Sequence, residues 1–416
     1  MPETPEIVRR TTCRVCGSAT LEPILSLGSM PLANGFLRSP LEFASERSYP
    51  LELYFCSACA LMQLLDVVRA DIMFRHYLYI TGVSATQVTH TSSYARALTE
   101  RLGLGSKDLV VEIASNDGSL LRAFAEAGVQ TLGVEPARNL AAEAAANGIE
   151  TVAEFFTQAL ARRMRAERGK ARVVVANNVL AHVDDVRDFL AGCSELIDDD
   201  GIISIEVPYV GDLIERIEYD TIYHEHLSYF SFASLLRAAE SAGLAALRID
   251  RLPVHGGSLR LTLGRSASGH APEVTALEAE ERRAGFTGID RYRRFAREVL
   301  DSRTAFVSLL ERLNAEGRRI AGYAAPAKGN TLMNFCRIDD RLIRYTVDKS
   351  PRKVGLYTPG AHLQVRPVSA LYAPETRPDY VVVLAWNIGE EIMKQERAFR
   401  DTGGRFIIPI PQPQVI

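Results

Sequence analysis

Apolar and polar positions change rhythm several times along this chain, and each change marks a different unit. Between 109 and 250, short apolar runs alternate with stretches whose apolar residues recur at helical spacing. The runs are Leu109–Ile113, 131–134, 173–176, 202–207 and 244–249. Short apolar runs separated by helices predict a parallel sheet with right-handed crossovers, and ligands of such sheets bind outside the carboxyl ends of the strands. The alternation restarts in 319–323, 344–348, 380–385 and 406–409, which predicts a second doubly wound α/β unit. Between the two, 272–317 is rich in Ala, Arg and Glu and reads as one or two connecting helices.

The first 70 residues follow neither rhythm. Pro23, Gly28, Pro31, Gly35 and Pro40 break up short apolar runs such as 51–55, and helical spacing takes over across 72–102. So small a segment has little core of its own. Two Cys-x-x-Cys pairs, Cys13/Cys16 and Cys56/Cys59, supply what it lacks. Four thiolates close the tetrahedral shell of a structural zinc and leave no position for a catalytic water. Redox use would place a single such motif beside a βαβ pattern. No apolar targeting segment opens the chain, so a reducing cytoplasm is expected, and disulfides are disfavoured there. The expected fold is α/β in three parts: a zinc-binding domain over 1–70, a Rossmann-like domain over 71–271 and a second Rossmann-like domain over 272–416. A 416-residue chain with 47% hydrophobic content is long and apolar enough for such a division.

Charge and apolar run length each remove one class of partner. A formal net charge of -3 gives no basic footprint for nucleic acid. No apolar run reaches the roughly 18 to 20 residues needed to span a bilayer, so no membrane partner is expected either.

The segment from Leu109 to Gly118 runs from a buried strand into a tight loop and a helix beginning near Ser119, the geometry of a first βα turn. Ala114 and Asn116 stand where a dinucleotide turn would carry glycine, and Gly118 keeps the unrestricted position. Glu135 ends the next strand 23 residues after Glu112, where a carboxylate can accept from both ribose hydroxyls. Glu112 and Asp117 would repel a pyrophosphate, whereas S-adenosylmethionine carries a sulfonium and an ammonium. That methyl donor is therefore expected in preference to a nicotinamide dinucleotide. Phe155 and Phe156 offer rings for the adenine or else belong to the core. Asn177, Asn178 and His182 follow the fourth strand and are expected to face the crevice.

The densest cluster of proton-handling groups is Tyr223-His224-Glu225-His226. In an extended segment His224 and His226 would share a face without Glu225, which suits metal chelation poorly. A general base whose tautomer is fixed by a neighbouring carboxylate fits better.

Taken together, the four cysteines, VEIASNDG, IYHEHLSYF, LPVHGGSLR, GYAAPAKGNTLMNF and TVDKSPRKVGLYTPG resemble the nucleotide-sugar C-methyltransferases of deoxysugar and antibiotic biosynthesis. The resemblance covers nearly the whole chain with its motifs in the same order. It implies a zinc domain, a central S-adenosylmethionine domain and a C-terminal domain that helps to bind the nucleotide sugar. It further implies methylation at C-3 of a dTDP-4-keto-deoxyhexose, with relatives acting at C-5. Carried onto this chain, His226 is the base, with Glu225 and Tyr223 in the same motif and His182 as a further active-site histidine. Tyr79, with Tyr77 as the close alternative, would reach in from the N-terminal side.

The chemistry expected is removal of the proton beside the C-4 ketone by His226, with Tyr223 or His182 steadying the enolate oxygen. At the second sheet, Tyr323 ends a strand before the helix that carries Lys328, which suits a diphosphate. Asp348, Lys349 and Arg352 follow the next strand as further substrate contacts, and His255 lies where it can approach the sugar. A monomer acting on a small-molecule dTDP-sugar is the expectation. An NAD-dependent nucleotide-sugar oxidoreductase would need a Gly-rich pyrophosphate turn, which the sequence lacks. A zinc-stapled scaffold that binds without turnover would not need the acid-base cluster.

Overall fold

The computed structural model describes residues 5–75, 82, 85–252, 256–265 and 269–416. The central sheet has seven strands in the order Ala245–Leu252, Ser258–Gly264, Ile197–Pro208, Ala171–Asn177, Leu109–Ile113, Gln130–Val134 and Thr151–Val152. Every pairing from Ile197–Pro208 to Thr151–Val152 is parallel, while Ser258–Gly264 runs antiparallel to both of its neighbours. The sheet is therefore mixed rather than parallel. The reversed strand arises because the chain turns back tightly at Gly256 and Gly257, both in the left-handed region, with no room for a crossover helix. A Cβ on Gly256 would stand 2.3 Å from the Glu218 carboxylate, and one on Gly257 2.3 Å from that of Asp212. Side chains at these positions would push the turn off its acidic cradle.

The inner strands Leu109–Ile113 and Ala171–Asn177 consist almost wholly of buried apolar residues, as expected of strands covered on both faces. The second sheet runs Val365–Pro367, Thr346–Asp348, Ile320–Tyr323, Tyr380–Val383, Arg405–Ile408 and Gln414–Val415, parallel except at the final pair. Two helices join the sheets. Pro272–Arg283 packs on the central unit through Val274 and through Glu281, whose carboxylate accepts from the backbone N–H of Phe232 and Ala233 and from the Tyr209 hydroxyl. Ile289–Ala315 carries Tyr292, Phe295, Phe306 and Leu310 into a core shared with the N-terminal sheet.

That N-terminal sheet has the order Ser228–Tyr229, Met62–Leu64, Tyr49–Cys56 and Leu21–Met30, all antiparallel. Its edge strand, Ser228–Tyr229, comes from the central unit, directly after the histidine motif. The small front segment is thus completed at its edge by a strand on loan from the central unit.

Candidate active site

The cysteines meet first. Gly17 N–H donates to the Cys13 carbonyl and Ala60 N–H to the Cys56 carbonyl, each at 2.9 Å, and Gly17 and Ala60 both adopt left-handed backbone. Two matching knuckles result. Their four sulfurs lie within 4.8 Å of one another, with Cys13 to Cys59 at 3.6 Å and Cys16 to Cys56 at 3.5 Å. Tetrahedral zinc with bonds of about 2.3 Å calls for sulfur separations of about 3.8 Å, so the set fits the ion. The thiolates leave no open coordination position, and this is a structural zinc site.

Arg14, between the first two cysteines, is fully buried. Its guanidinium donates to the Leu64 carbonyl at 2.8 Å and to the Leu227 carbonyl, one residue beyond His226. Burial pushes it down to about 10, with the Asp184 carboxylate 3.5 Å away opposing that drop. The zinc knuckle is thereby tied to the histidine motif, a contact no sequence pattern announced. Leu227 N–H in turn donates to the Ala181 carbonyl at 2.8 Å, bringing the segment of His182 alongside.

Within the motif, His226 Nδ1 lies 2.9 Å from the Thr221 carbonyl and Nε2 lies 2.9 Å from the Tyr223 hydroxyl. A carbonyl can only accept, so Nδ1 carries the hydrogen and Nε2 is the basic nitrogen of the neutral ring. The tautomer is set by a backbone carbonyl rather than by the neighbouring carboxylate expected from sequence. Glu225, buried, accepts from Asn34 Nδ2 at 2.6 Å. Burial, followed by the nearby Glu225 charge, raises Tyr223 well above the ordinary phenol range, so its hydroxyl stays protonated. The His182 ring stands edge-on to His226 at 4.8 Å and to Phe74 at 5.6 Å. Desolvation pushes His182 down to about 4, leaving it neutral near pH 7. His224 points the other way, with Nε2 3.1 Å from the Tyr49 carbonyl. It is a buried tie to the N-terminal sheet. Tyr77, Tyr79 and His255 lie outside the described residues.

The βα loop is strained at its non-glycine positions. Ala114, Asn116 and Gly118 all adopt left-handed backbone, as does Asn178 after the neighbouring strand. Glu135 accepts from Asn116 N–H at 2.9 Å and Ala137 N–H at 2.8 Å, which fixes its carboxylate at the strand end. Asp117 does not face outward: it accepts from the Ser119 N–H and hydroxyl at the start of helix Ser119–Glu126, and from Gly82 N–H at 3.0 Å. Burial, then the charge of Glu135, raises Glu112 well above the usual carboxylate range. Among the described residues Glu112 Oε2 and Asn177 Oδ1 are buried without a hydrogen-bond partner. Two unpartnered acceptors beside a strained loop suit a cationic donor, and S-adenosylmethionine with its ammonium fits them. Phe155 is half-buried with the Arg75 guanidinium over its ring at 4.8 Å, whereas Phe156 packs edge-on against Phe189 in the core.

Sequence reasoning missed Glu206 and Arg260, which form a 2.6 Å ion pair behind Asn178. Asn178 Nδ2 donates to Glu206 at 3.3 Å, and the Arg260 guanidinium covers the Tyr94 ring at 3.8 Å. These residues are far apart in sequence, and only the pairing of Ile197–Pro208 with Ser258–Gly264 joins them.

In the second sheet, Tyr323 is buried and donates to Glu396 at 2.7 Å, so its hydroxyl is spent inside the domain. Lys328 turns inward, 4.0 Å from Glu218 and 5.2 Å from the Trp386 ring. Asp348 accepts from the N–H groups of Ala325 and Ser350, each at 2.8 Å, and clamps the loop after the first strand to its own. Lys349 pairs with Gln395, and Arg352 is exposed.

Strained βα loop, acidic strand end and zinc-braced histidine cluster together define an S-adenosylmethionine-dependent methyltransferase. Three family descriptions match in series: a zinc binding domain over residues 13–74, a methyltransferase domain over 88–249 and a C-methyltransferase C-terminal domain over 253–411. The chain is 37% identical over 410 residues to C-methyltransferase NovU of Streptomyces niveus, covering 97% of this chain and 96% of that protein. The chain belongs to this C-methyltransferase family. Among solved structures, magnesium protoporphyrin IX methyltransferase from Synechocystis PCC 6803 with bound SAM is 16% identical at a TM-score of 0.33, covering 44% of this chain and 82% of that one. An S-adenosylmethionine-dependent methyltransferase from Clostridium acetobutylicum is 9% identical at 0.34, covering 43% and 92%. Among the described residues no helix is long and apolar enough to cross a membrane.

Proposed function

We propose that this enzyme methylates C-3 of a dTDP-4-keto-deoxyhexose, with His226 as the base. The observation that carries this reading is the pair of contacts on the His226 ring: Thr221 holds Nδ1–H, and Nε2 is left basic beside a protonated Tyr223 hydroxyl. His226 Nε2 takes the proton from the carbon next to the C-4 ketone, and the electron pair of that C–H bond passes into the carbonyl to give an enolate. Tyr223 or neutral His182 donates a hydrogen bond to the enolate oxygen. When bound, S-adenosylmethionine supplies an electrophilic methyl that the enolate carbon takes as the thioether departs. Glu112, Asn116, Glu135, Asn177 and the half-buried face of Phe155 would hold that donor. The opening bounded by Asp348, Lys349, Pro351 and Pro367 lies at the carboxyl ends of the second sheet, a suitable berth for the nucleotide. Lys349 at its edge and the exposed Arg352 would serve as cations for the diphosphate, and His255, outside the described residues, is assigned to the sugar on the sequence alone.

The test is incubation with S-adenosylmethionine and a panel of dTDP-4-keto-sugars, with product mass and NMR. A gain of one methyl placed on C-3 supports the proposal. Methylation at C-5 would move the site of chemistry, and no gain on any sugar would remove the substrate class.

A further inference from the structure

The catalytic turn is seated on the C-terminal domain. The 3-10 turn Tyr219–Thr221 lies over helix Ala327–Phe335: the Tyr219 ring is edge-on to Phe335 at 5.5 Å, and its hydroxyl is 3.9 Å from Cys336 Sγ. Asp220, fully buried in that turn, accepts from Trp386 Nε1 at 2.6 Å. The Trp386 ring faces Lys328 Nζ at 5.2 Å, and Lys328 lies 4.0 Å from Glu218 at the start of the turn. Among the described residues Lys328 Nζ, Glu218 Oε1 and Asp220 Oδ1 are all buried without a hydrogen-bond partner, the nearest charge to Glu218 Oε1 being the Arg216 guanidinium at 3.9 Å. Burying two carboxyl groups and an ammonium so incompletely satisfied is costly, and a plain packing contact would be cheaper as apolar side chains. The cluster therefore calls for a reason beyond holding two domains together.

Its neighbour supplies one. Asp220 is joined by a single rigid peptide to Thr221, whose carbonyl holds His226 Nδ1 at 2.9 Å. We propose that Trp386, acting through Asp220, and Lys328, acting through Glu218 and the Trp386 ring, are positioning residues for His226: they hold the Thr221 carbonyl against Nδ1 so that Nε2 remains the basic nitrogen. Neither touches the imidazole. Both belong to the C-terminal domain, so docking of that domain completes the base in the central one. This rests on the reading of His226 as the base.

The test uses the full-length zinc-loaded enzyme labelled with 15N-histidine, with the His226 signals assigned by their loss in His226→Gln. Trp386→Phe keeps the ring over Lys328 and removes the N–H. Asp220→Ala removes the acceptor, Asp220→Asn restores one, and Lys328→Met keeps the length without the charge. In wild type the ring nitrogens should report the Nδ1–H tautomer. In Trp386→Phe, Lys328→Met and Asp220→Ala they should shift toward a mixture, with Asp220→Asn nearer to wild type. Turnover should fall in step, about 10- to 100-fold, a loss typical of small misplacement, while KM for the sugar stays within about twofold. His226 signals unmoved in both Trp386→Phe and Lys328→Met would overturn the proposal, as would a loss of kcat matched by a rise in KM. If wild type methylates no 4-keto-sugar, the substrate reading fails, yet the 15N arm still decides the positioning role.

Discussion

His226 Nδ1 lies 2.9 Å from the Thr221 carbonyl, and that contact settles which ring nitrogen can take a proton. A backbone carbonyl here orients the imidazole without adding a negative charge beside the enolate that the proposed chemistry would develop. Replacing His226 by Gln keeps a polar side chain of similar reach and removes the proposed base. Turnover should fall about 10²- to 10⁴-fold, the usual range for a positioned general base, while the affinity for S-adenosylmethionine measured by calorimetry stays near wild type. Retention of rate would assign the base elsewhere.

Glu135 is held by two backbone donors with acceptor capacity left on each oxygen. Glu135→Gln turns one acceptor into a donor facing those same N–H groups, and any hydroxyl bound there loses a charged partner. The Kd for S-adenosylmethionine should rise about tenfold or more, since hydrogen bonds to a charged group contribute about 1.5 to 3 kcal/mol. Calorimetric titration reads this without turnover.

Arg14 donates to two buried carbonyls that belong to the N-terminal sheet and to the residue after His226. Arg14→Met fills part of the space and abandons both. Unfolding in urea should show a loss of about 2 to 3 kcal/mol, with a fall in kcat, since the lost tie ends one residue from the base. Wild-type stability together with wild-type kcat would show that the tie carries nothing.

Zinc removal acts through order and not through a missing ligand in the chemistry. Chelation at neutral pH should abolish activity together with protection of the pairing of Tyr49–Cys56 and Ser228–Tyr229 with Met62–Leu64 against hydrogen exchange, and Cys56→Ser should do the same. One bound zinc per chain is expected by elemental analysis. Full activity in metal-free protein would contradict a brace.

His182 provides a pH test. Its folded value, pushed down to about 4 by desolvation, lies below the unfolded imidazole value near 6.5, so between those limits the unfolded state binds more protons. The stability associated with neutral His182 is complete above about 6.5 and is lost as pH falls toward 4. His182→Gln should remove that share of the acid-side decline, seen as a flatter melting temperature between pH 7 and 4. Parallel curves for the two proteins would refute it.

The sequence by itself determined the α/β fold class, the zinc site and the methyl donor. Leu109–Ile113 and 173–176 read as buried strands because both faces of the central sheet are covered, which leaves an unbroken apolar run. The four cysteines read as zinc ligands because both halves of the shell are local knuckles of four residues. Tyr223 and His226 were legible because their partnership spans one turn of chain. Tertiary structure decided what depended on distant residues. The reversed strand Ser258–Gly264 hid behind a glycine turn whose tightness comes from Asp212 and Glu218. Tyr323 and Phe156 sat in plausible places along the chain but turn into cores built by Glu396 and Phe189. Lys328 looked like an anion contact at a helix start, yet it faces the acids of the catalytic turn because the two domains close over it. A sequence shows which side chains are available and how neighbours repeat. Which of them share a buried, low-dielectric space is fixed only when remote segments pack, and there an unpaired charge or a single carbonyl determines the role of the residue beside it.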